Sequence, residues 1–167
     1  GELAELIRKT AGCVTTVVPI GNEAYNRLHA KLGSVNAILA WGHARVIENL
    51  LGQKHRMEPP PVRAISDQFA RSKSTVERAL MVLGREIELI QRHKAEEDIA
   101  VAAASILARD EFVSRLRELG RKFDLELPKG ASAATIEAGR RFVQMHGVEK
   151  LGEAAKLHFR TTQVLSA

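Results

Sequence analysis

Two aspartates fall where carboxylates are able to do chemistry. Asp67 closes the short strand-like stretch Val62–Ser66, and Asp98 follows Glu96 and Glu97 at the head of a long alanine-rich stretch. They are 31 residues apart, with sequence enough for one helix and one strand between them. A carboxylate at a strand's carboxyl end can face a crevice where ligands bind. Two that converge would offer hard oxygen donors to a divalent cation. Each also has a plain structural use. Aspartate often opens a turn after a strand, and acids near a helix start complement the helix dipole. Position alone leaves both readings open.

The remaining chemistry-bearing types offer less. His43, His93 and His158 have no spacing that resembles a zinc site. Ser105 lies in an alanine-rich helical face, which reads as packing rather than as a nucleophile. No Walker lysine loop and no dinucleotide glycine fingerprint is present. Leu127–Ser132, LPKGAS, reads as a loop with a helix cap at Ser132; Lys129 there either touches a phosphate or is simply solvated. Cys13, the single cysteine, has no internal disulfide partner and reads as a small core residue.

These groups need elements to hold them. Leu3, Leu6 and Ile7 recur at helical spacing, with Gly12 as a stop. Val14–Ile20 is apolar or β-branched at nearly every position and predicts a strand buried on both faces, as in a parallel sheet. Glu23–Leu32 predicts a short helix. Ser34 or Asn36 caps a longer one to Leu51, with Ile38, Leu39, His43, Val46, Ile47 and Leu50 along one side. Gly52–Pro61 ends in three prolines and predicts a surface loop. Val62–Ser66 predicts a short strand. Ser74 and Glu77 have capping-box spacing for a helix through Leu83, and Ile87, Leu89 and Ile90 suggest another strand after Gly84. Glu96–Leu119 predicts a long helix that places Asp98 in its first turn. Its small residues, Ala100, Val101, Ala103, Ala104, Leu107 and Ala108, suit close packing on a sheet. Helices near Ala133–Met145 and Val148–Leu157 complete the pattern.

Alternating strands and helices predict an α/β fold. About three strands against some six helices make an incomplete sheet. Apolar residues are 45% of the chain and charged residues 27%, an ordinary globular profile. No apolar run approaches the roughly 18 residues of a membrane span, and no basic-then-apolar leader precedes the first helix, so neither membrane nor export is expected. With the lone cysteine, a cytoplasmic setting fits. The net charge of +5 favours a polyanionic partner. Aromatics at 4% argue against a surface built on base stacking.

At the candidate residues the sequence resembles the type 2 ribonucleases H. Lys94–Phe112, KAEEDIAVAAASILARDEF, is similar to that family's most recognisable block, and LPKGAS follows at the expected place. Ile65–Phe69, ISDQF, resembles the segment carrying the family's third acid. Three further blocks resemble the HIII branch: Tyr25–His29 (YNRLH), Asn36–Leu51 (NAILAWGHARVIENLL) and Ala155–Thr162 (AKLHFRTT). The likeness covers nearly the whole chain. It implies a ribonuclease H-like three-layer fold with a mixed sheet flanked by helices. The implied activity is cleavage of the RNA strand of RNA–DNA hybrids with Mg²⁺ or Mn²⁺. The family uses an Asp-Glu pair on its first strand and two later aspartates, which match Asp67 and Asp98. Lys94, Lys129 and Ser132 are the implied substrate contacts.

The family's opening pattern, G-x-D-E-x-G, is not found; Gly21-Asn22-Glu23-Ala24 mimics it, but Tyr25-Asn26 assigns that stretch to a different block. Residues 1–167 are therefore expected to form a single, incomplete catalytic domain lacking the first strands, with a helical carboxy-terminal part from about 132. Weak or no activity alone, and self-association or pairing with a missing amino-terminal segment, follow as expectations. The alternative reading is a non-catalytic module that binds RNA–DNA hybrids.

Overall fold

The computed structural model describes residues 1–165, so the end of the expected domain, residues 166 and 167, lies outside the described residues. The chain forms two compact units, residues 1–19 with 34–111, and residues 20–33 with 112–167. In chain order the elements are α1 (Glu2–Lys9), α2 (Asn22–Leu32), α3 (Val35–Leu51), β1 (Arg63–Asp67), α4 (Ser74–Glu77), β2 (Glu88–Arg92), α5 (Ile99–Lys122), α6 (Ala133–His146), α7 (Leu151–Ala154) and α8 (Arg160–Gln163).

In the first unit β1 and β2 pair in parallel, with Ala64 opposite Leu89, Ile65 opposite Ile90, Ser66 opposite Gln91 and Asp67 opposite Arg92. Side chains alternate across a sheet, so paired residues share a face and the faces swap at each step. The buried strand residues are the polar pair Ser66 and Gln91, at 5% and 3% exposure. Both are satisfied: Ser66 by His43 of α3, and Gln91 by its Nε2 donating to the Lys73 carbonyl at 2.9 Å. α3 starts where the sequence predicts, with Ser34 Oγ accepting the Ala37 N–H. Glu48 near its far end accepts the N–H groups of Leu83 and Gly84 at 3.1 and 3.0 Å, which ties α3 to the turn before β2.

The second unit is helical and holds the main cluster of large buried side chains: Phe123, Leu125, Phe142 and Leu151. The Phe123 and Phe142 rings meet edge to face, 4.9 Å apart. α5 ends in a tight reversal. The Leu125 N–H donates to the Gly120 carbonyl at 2.9 Å, and a Cβ on Gly120 would stand 2.8 Å from the Leu125 carbonyl oxygen. Only glycine fits that approach.

Several expectations need correction. Val14–Ile20 is not a strand; the segment is half-buried apart from exposed Pro19 but has no ladder partner among the described residues. Apolar, β-branched sequence makes a segment ready to pair, and a strand exists only where a neighbour supplies hydrogen bonds. Cys13 is exposed rather than in the core, because it follows the turn at Gly12 that leads into that unpaired segment. The helix opened near Ser74 is a single turn whose cap position is Lys73, and a 3₁₀ turn, Leu83–Arg85, replaces its expected end. The helix expected over Val148–Leu157 is a 3₁₀ turn, Val148–Lys150, followed by α7. The small-residue face of α5 divides: Leu107 is buried, whereas Ala100, Ala104 and Ala108 are exposed.

Candidate metal centre

Asp67 is the last residue of β1 and Arg92 the last of β2, directly opposite it. The chain then turns at once. Lys94 adopts a left-handed backbone, φ 53° and ψ 40°, and starts a 3₁₀ turn, Ala95–Glu97. That conformation is uncommon for a residue with a side chain, and here it folds the chain back over the strand ends. Asp67 Oδ1 accepts the Ala95 N–H at 3.3 Å, and the Gln68 N–H donates to the Arg92 carbonyl at 3.1 Å. The strand ends and the turn are thereby stitched together.

Asp98 terminates this turn with extended backbone, φ −81° and ψ 129°. It stands before α5 rather than in its first turn. Its Oδ1 accepts the Ala100 N–H at 2.9 Å and its carbonyl accepts the Ala102 N–H at 2.9 Å, which makes it the helix cap. Its Oδ2 is 3.9 Å from Arg92 Nη2. With Arg92 half exposed and Asp98 at 26%, that ion pair is weak and screened. Asp67 and Asp98 thus both lie at the carboxyl end of the two-stranded sheet, one ending a strand and the other opening a helix.

An ionised carboxylate has about four lone-pair sites, so a single N–H bond to each aspartate leaves capacity for a cation. Exposed carboxylate oxygens of this kind suit Mg²⁺ or Mn²⁺. The set is small: among the described residues no group of three His, Cys, Asp or Glu side chains could hold a metal ion.

Three residues that spacing did not single out belong to this end of the sheet. Arg92 reaches it by register. Ser66 and His43 sit behind it, with His43 Nδ1 3.1 Å from Ser66 Oγ and the His43 ring 5.0 Å from that of Phe69. Burial pushes the His43 pKa down, and the negative charge of Asp67 opposes that shift. The available signal was a histidine within an otherwise apolar helix face.

The other implied contacts lie in the second unit, apart from Lys94, which is exposed at the turn described above. Lys129 is exposed and lines a groove of about 690 Å³ together with Arg117, Arg121, Asp124 and Glu126. Ser132 occupies the cap position of α6, but its side chain makes no capping hydrogen bond; its Oγ lies 3.5 Å from Thr135 Oγ1.

The fold of the chain has known counterparts. The crystal structure of Bst-RNase HIII in complex with Mn²⁺ matches with a TM-score of 0.78 at 30% identity, over 88% of this chain and 48% of that one. The crystal structure of a mutant form of Bst-RNase HIII matches with a TM-score of 0.77, also at 30% identity, over 87% of this chain and 47% of that one. The fold is therefore of the ribonuclease H-like α/β class. In sequence, the profile described as Ribonuclease HII matches residues 1–162. Ribonuclease HIII of Chlamydia pneumoniae is 44% identical over 162 residues, covering 95% of this chain and 51% of the relative. Ribonuclease HIII of Chlamydia caviae is 43% identical with the same coverage. The chain belongs to the ribonuclease HII family, the type 2 ribonucleases H, and is similar to its HIII branch. It spans about half the length of the curated relatives it matches.

Proposed function

We propose that residues 1–167 are part of a type 2 ribonuclease H catalytic domain that hydrolyses the RNA strand of RNA–DNA hybrids. Both compact units belong to that domain in this reading. The observation that carries it is the common placement of Asp67 and Asp98 at one end of the sheet, within a family fold. These two carboxylates would hold Mg²⁺ or Mn²⁺ together with acids from outside the chain. When bound, such ions activate water and stabilise the leaving oxygen in phosphodiester hydrolysis. The protein's own part is orientation. Asp67 is fixed by the Ala95 N–H, Asp98 by the Ala100 N–H, and Arg92 places a positive charge beside the acids where a phosphate would arrive. Lys94, Lys129 and Ser132 are the proposed substrate contacts, with a cytoplasmic setting. No described helix is long and apolar enough to cross a membrane.

With two acids, the isolated chain is expected to cut hybrids weakly or not at all. Misplaced reacting groups can cost roughly 10²-fold in rate. Purified 1–167 should bind a labelled hybrid, through its basic residues, with little Mn²⁺-dependent cleavage. Efficient cleavage abolished by Asp67→Asn would show that two acids suffice. Binding with no cleavage, even after a family fragment carrying the Asp-Glu strand is added, would favour the non-catalytic hybrid-binding module.

Pairing is the remaining part of the proposal. Val62 and Val82 are about three-quarters exposed and Ile99 is 87% exposed, while the described sheet has only two strands with open edges. Self-association, or pairing with a segment supplying further strands, would cover them. Sedimentation of 1–167 should show concentration-dependent association; a monomer at all concentrations, unchanged by that segment, would refute this.

A further inference from the structure

Resting on the metal-binding reading of Asp67, we propose that His43 is a positioning residue for that carboxylate: its ring N–H, received by the Ser66 hydroxyl, sets the backbone from which Asp67 leaves the sheet. The contact runs from α3 to the penultimate residue of β1. His43 Nδ1 is 3.1 Å from Ser66 Oγ, and Ser66 Oγ is 3.0 Å from the Asp67 carbonyl oxygen. A hydroxyl has one proton to give. Given to the Asp67 carbonyl, it leaves Ser66 Oγ as an acceptor toward His43. Nδ1 of His43 therefore carries the hydrogen, and Nε2 of the neutral ring holds the lone pair.

The same imidazole holds the chain on the other side of Asp67. Its ring lies 5.0 Å from Phe69, tilted by 40°. The residue before Asp67 and the residue two after it both rest on one side chain. Between them, the Gln68 N–H is bound to the Arg92 carbonyl. The peptide on either side of Asp67 is thus constrained from α3 and from β2. An ordinary buried serine–histidine pair would merely satisfy two polar groups. This one bridges to the carbonyl of the residue whose carboxylate is in question.

Outer contacts of this kind commonly change metal affinity by about 10–100-fold when removed. Two variants separate the donor from the bulk. His43→Phe keeps a ring against Phe69 and loses the donor, while His43→Asn keeps a donor near the Nδ1 position. The probe is Mn²⁺ alone, read by the broadening of assigned amide signals in the full chain, with long-range ¹⁵N spectra reporting the tautomer. The parent should show His43 as the Nδ1–H form and Mn²⁺ broadening centred on Asp67 and Asp98. His43→Phe should perturb the Ser66 and Asp67 signals and raise the Mn²⁺ midpoint about tenfold or more, with a cooperative melt retained. His43→Asn should restore the parent midpoint within roughly twofold, a recovery that a merely space-filling role would not give. An Nε2–H tautomer, or Asp67 signals and midpoint unchanged in His43→Phe, would overturn the proposal. Broadening that Asp67→Asn leaves intact would instead remove the metal reading, while the tautomer and the Asp67 shifts still decide the hydrogen-bond bridge.

Discussion

The two units bury their side chains in opposite ways. In the second unit, large apolar residues are enclosed: Phe142 is 1% exposed and Leu151 2%. In the first, alanines make up more of the enclosed set, with Ala4, Ala40, Ala44, Ala70 and Ala95 beside Ile38, Val76, Leu80 and Leu107, and the strand residues Ile65 and Ile90 are only partly buried. What is buried in the strands is Ser66 and Gln91, held by hydrogen bonds. Apolar enclosure stabilises without direction, whereas hydrogen bonds fix orientation. In the unit that carries the candidate acids, the strands themselves are therefore held by directional contacts.

Paired truncations should break or confirm that contrast. Phe142→Ala should cost about 3–5 kcal/mol, because it empties a site packed on every side. Ile65→Ala should cost less, about 2 kcal/mol, the low end for a partly buried isoleucine. Denaturant unfolding followed by amide exchange in each unit would measure both. Equal costs would mean that β1 is covered as fully as the helical core.

Asn26→Ala tests the second unit's own directional contacts. Asn26 Nδ2 donates to the Gly152 and Ala155 carbonyls, and its Oδ1 accepts the Leu157 N–H, each at 3.0 Å. Removing the amide leaves three backbone groups without that partner, at about 1–3 kcal/mol in total. Exchange protection should fall in 152–158 and stay unchanged at Phe142. Loss spread evenly over the unit would contradict a local clamp.

The smallest effect concerns pH. The His29 and His158 rings stack at 4.0 Å, with Tyr25 at 5.5 Å from His158 and the Lys156 ammonium over Tyr25. Neither His158 ring nitrogen nor the Tyr25 hydroxyl has a hydrogen-bond partner among the described residues. The His158 pKa is lowered first by burial, then by the nearby His29 and Lys156 charges. Its folded value lies below its unfolded value of ~6.5, so the unfolded state binds the extra proton. Stability is then full above that value and is lost as pH falls below ~6.5 toward the folded pKa. His158→Phe should flatten this part of the melting-temperature profile between about pH 7 and 5. His43 in the first unit is likewise lowered by burial, against the opposing charge of Asp67, so its variants should flatten the profile in the same sense. A melting profile unchanged by His158→Phe would refute this reading.

Sequence by itself determined a good deal. It placed α2 and α3 within a residue or so, and its strand at Val62–Ser66 and its apolar run Ile87–Ile90 fall on β1 and β2. Local signals suffice there: a serine cap, a helical stripe, short β-branched runs. It also marked Asp67 and Asp98, since a strand end and a helix start are visible in one dimension. Tertiary structure alone decided the rest. Val14–Ile20 has the composition of a strand and is none, because pairing is not a local property. Asp98 caps α5 instead of lying within it, because the left-handed turn at Lys94 uses up the preceding residues. Arg92 stands beside the acids through strand register, and His43 reaches Ser66 through packing of a helix 23 residues earlier. Each of these depends on which distant segment arrives next to it, and residue order does not state that.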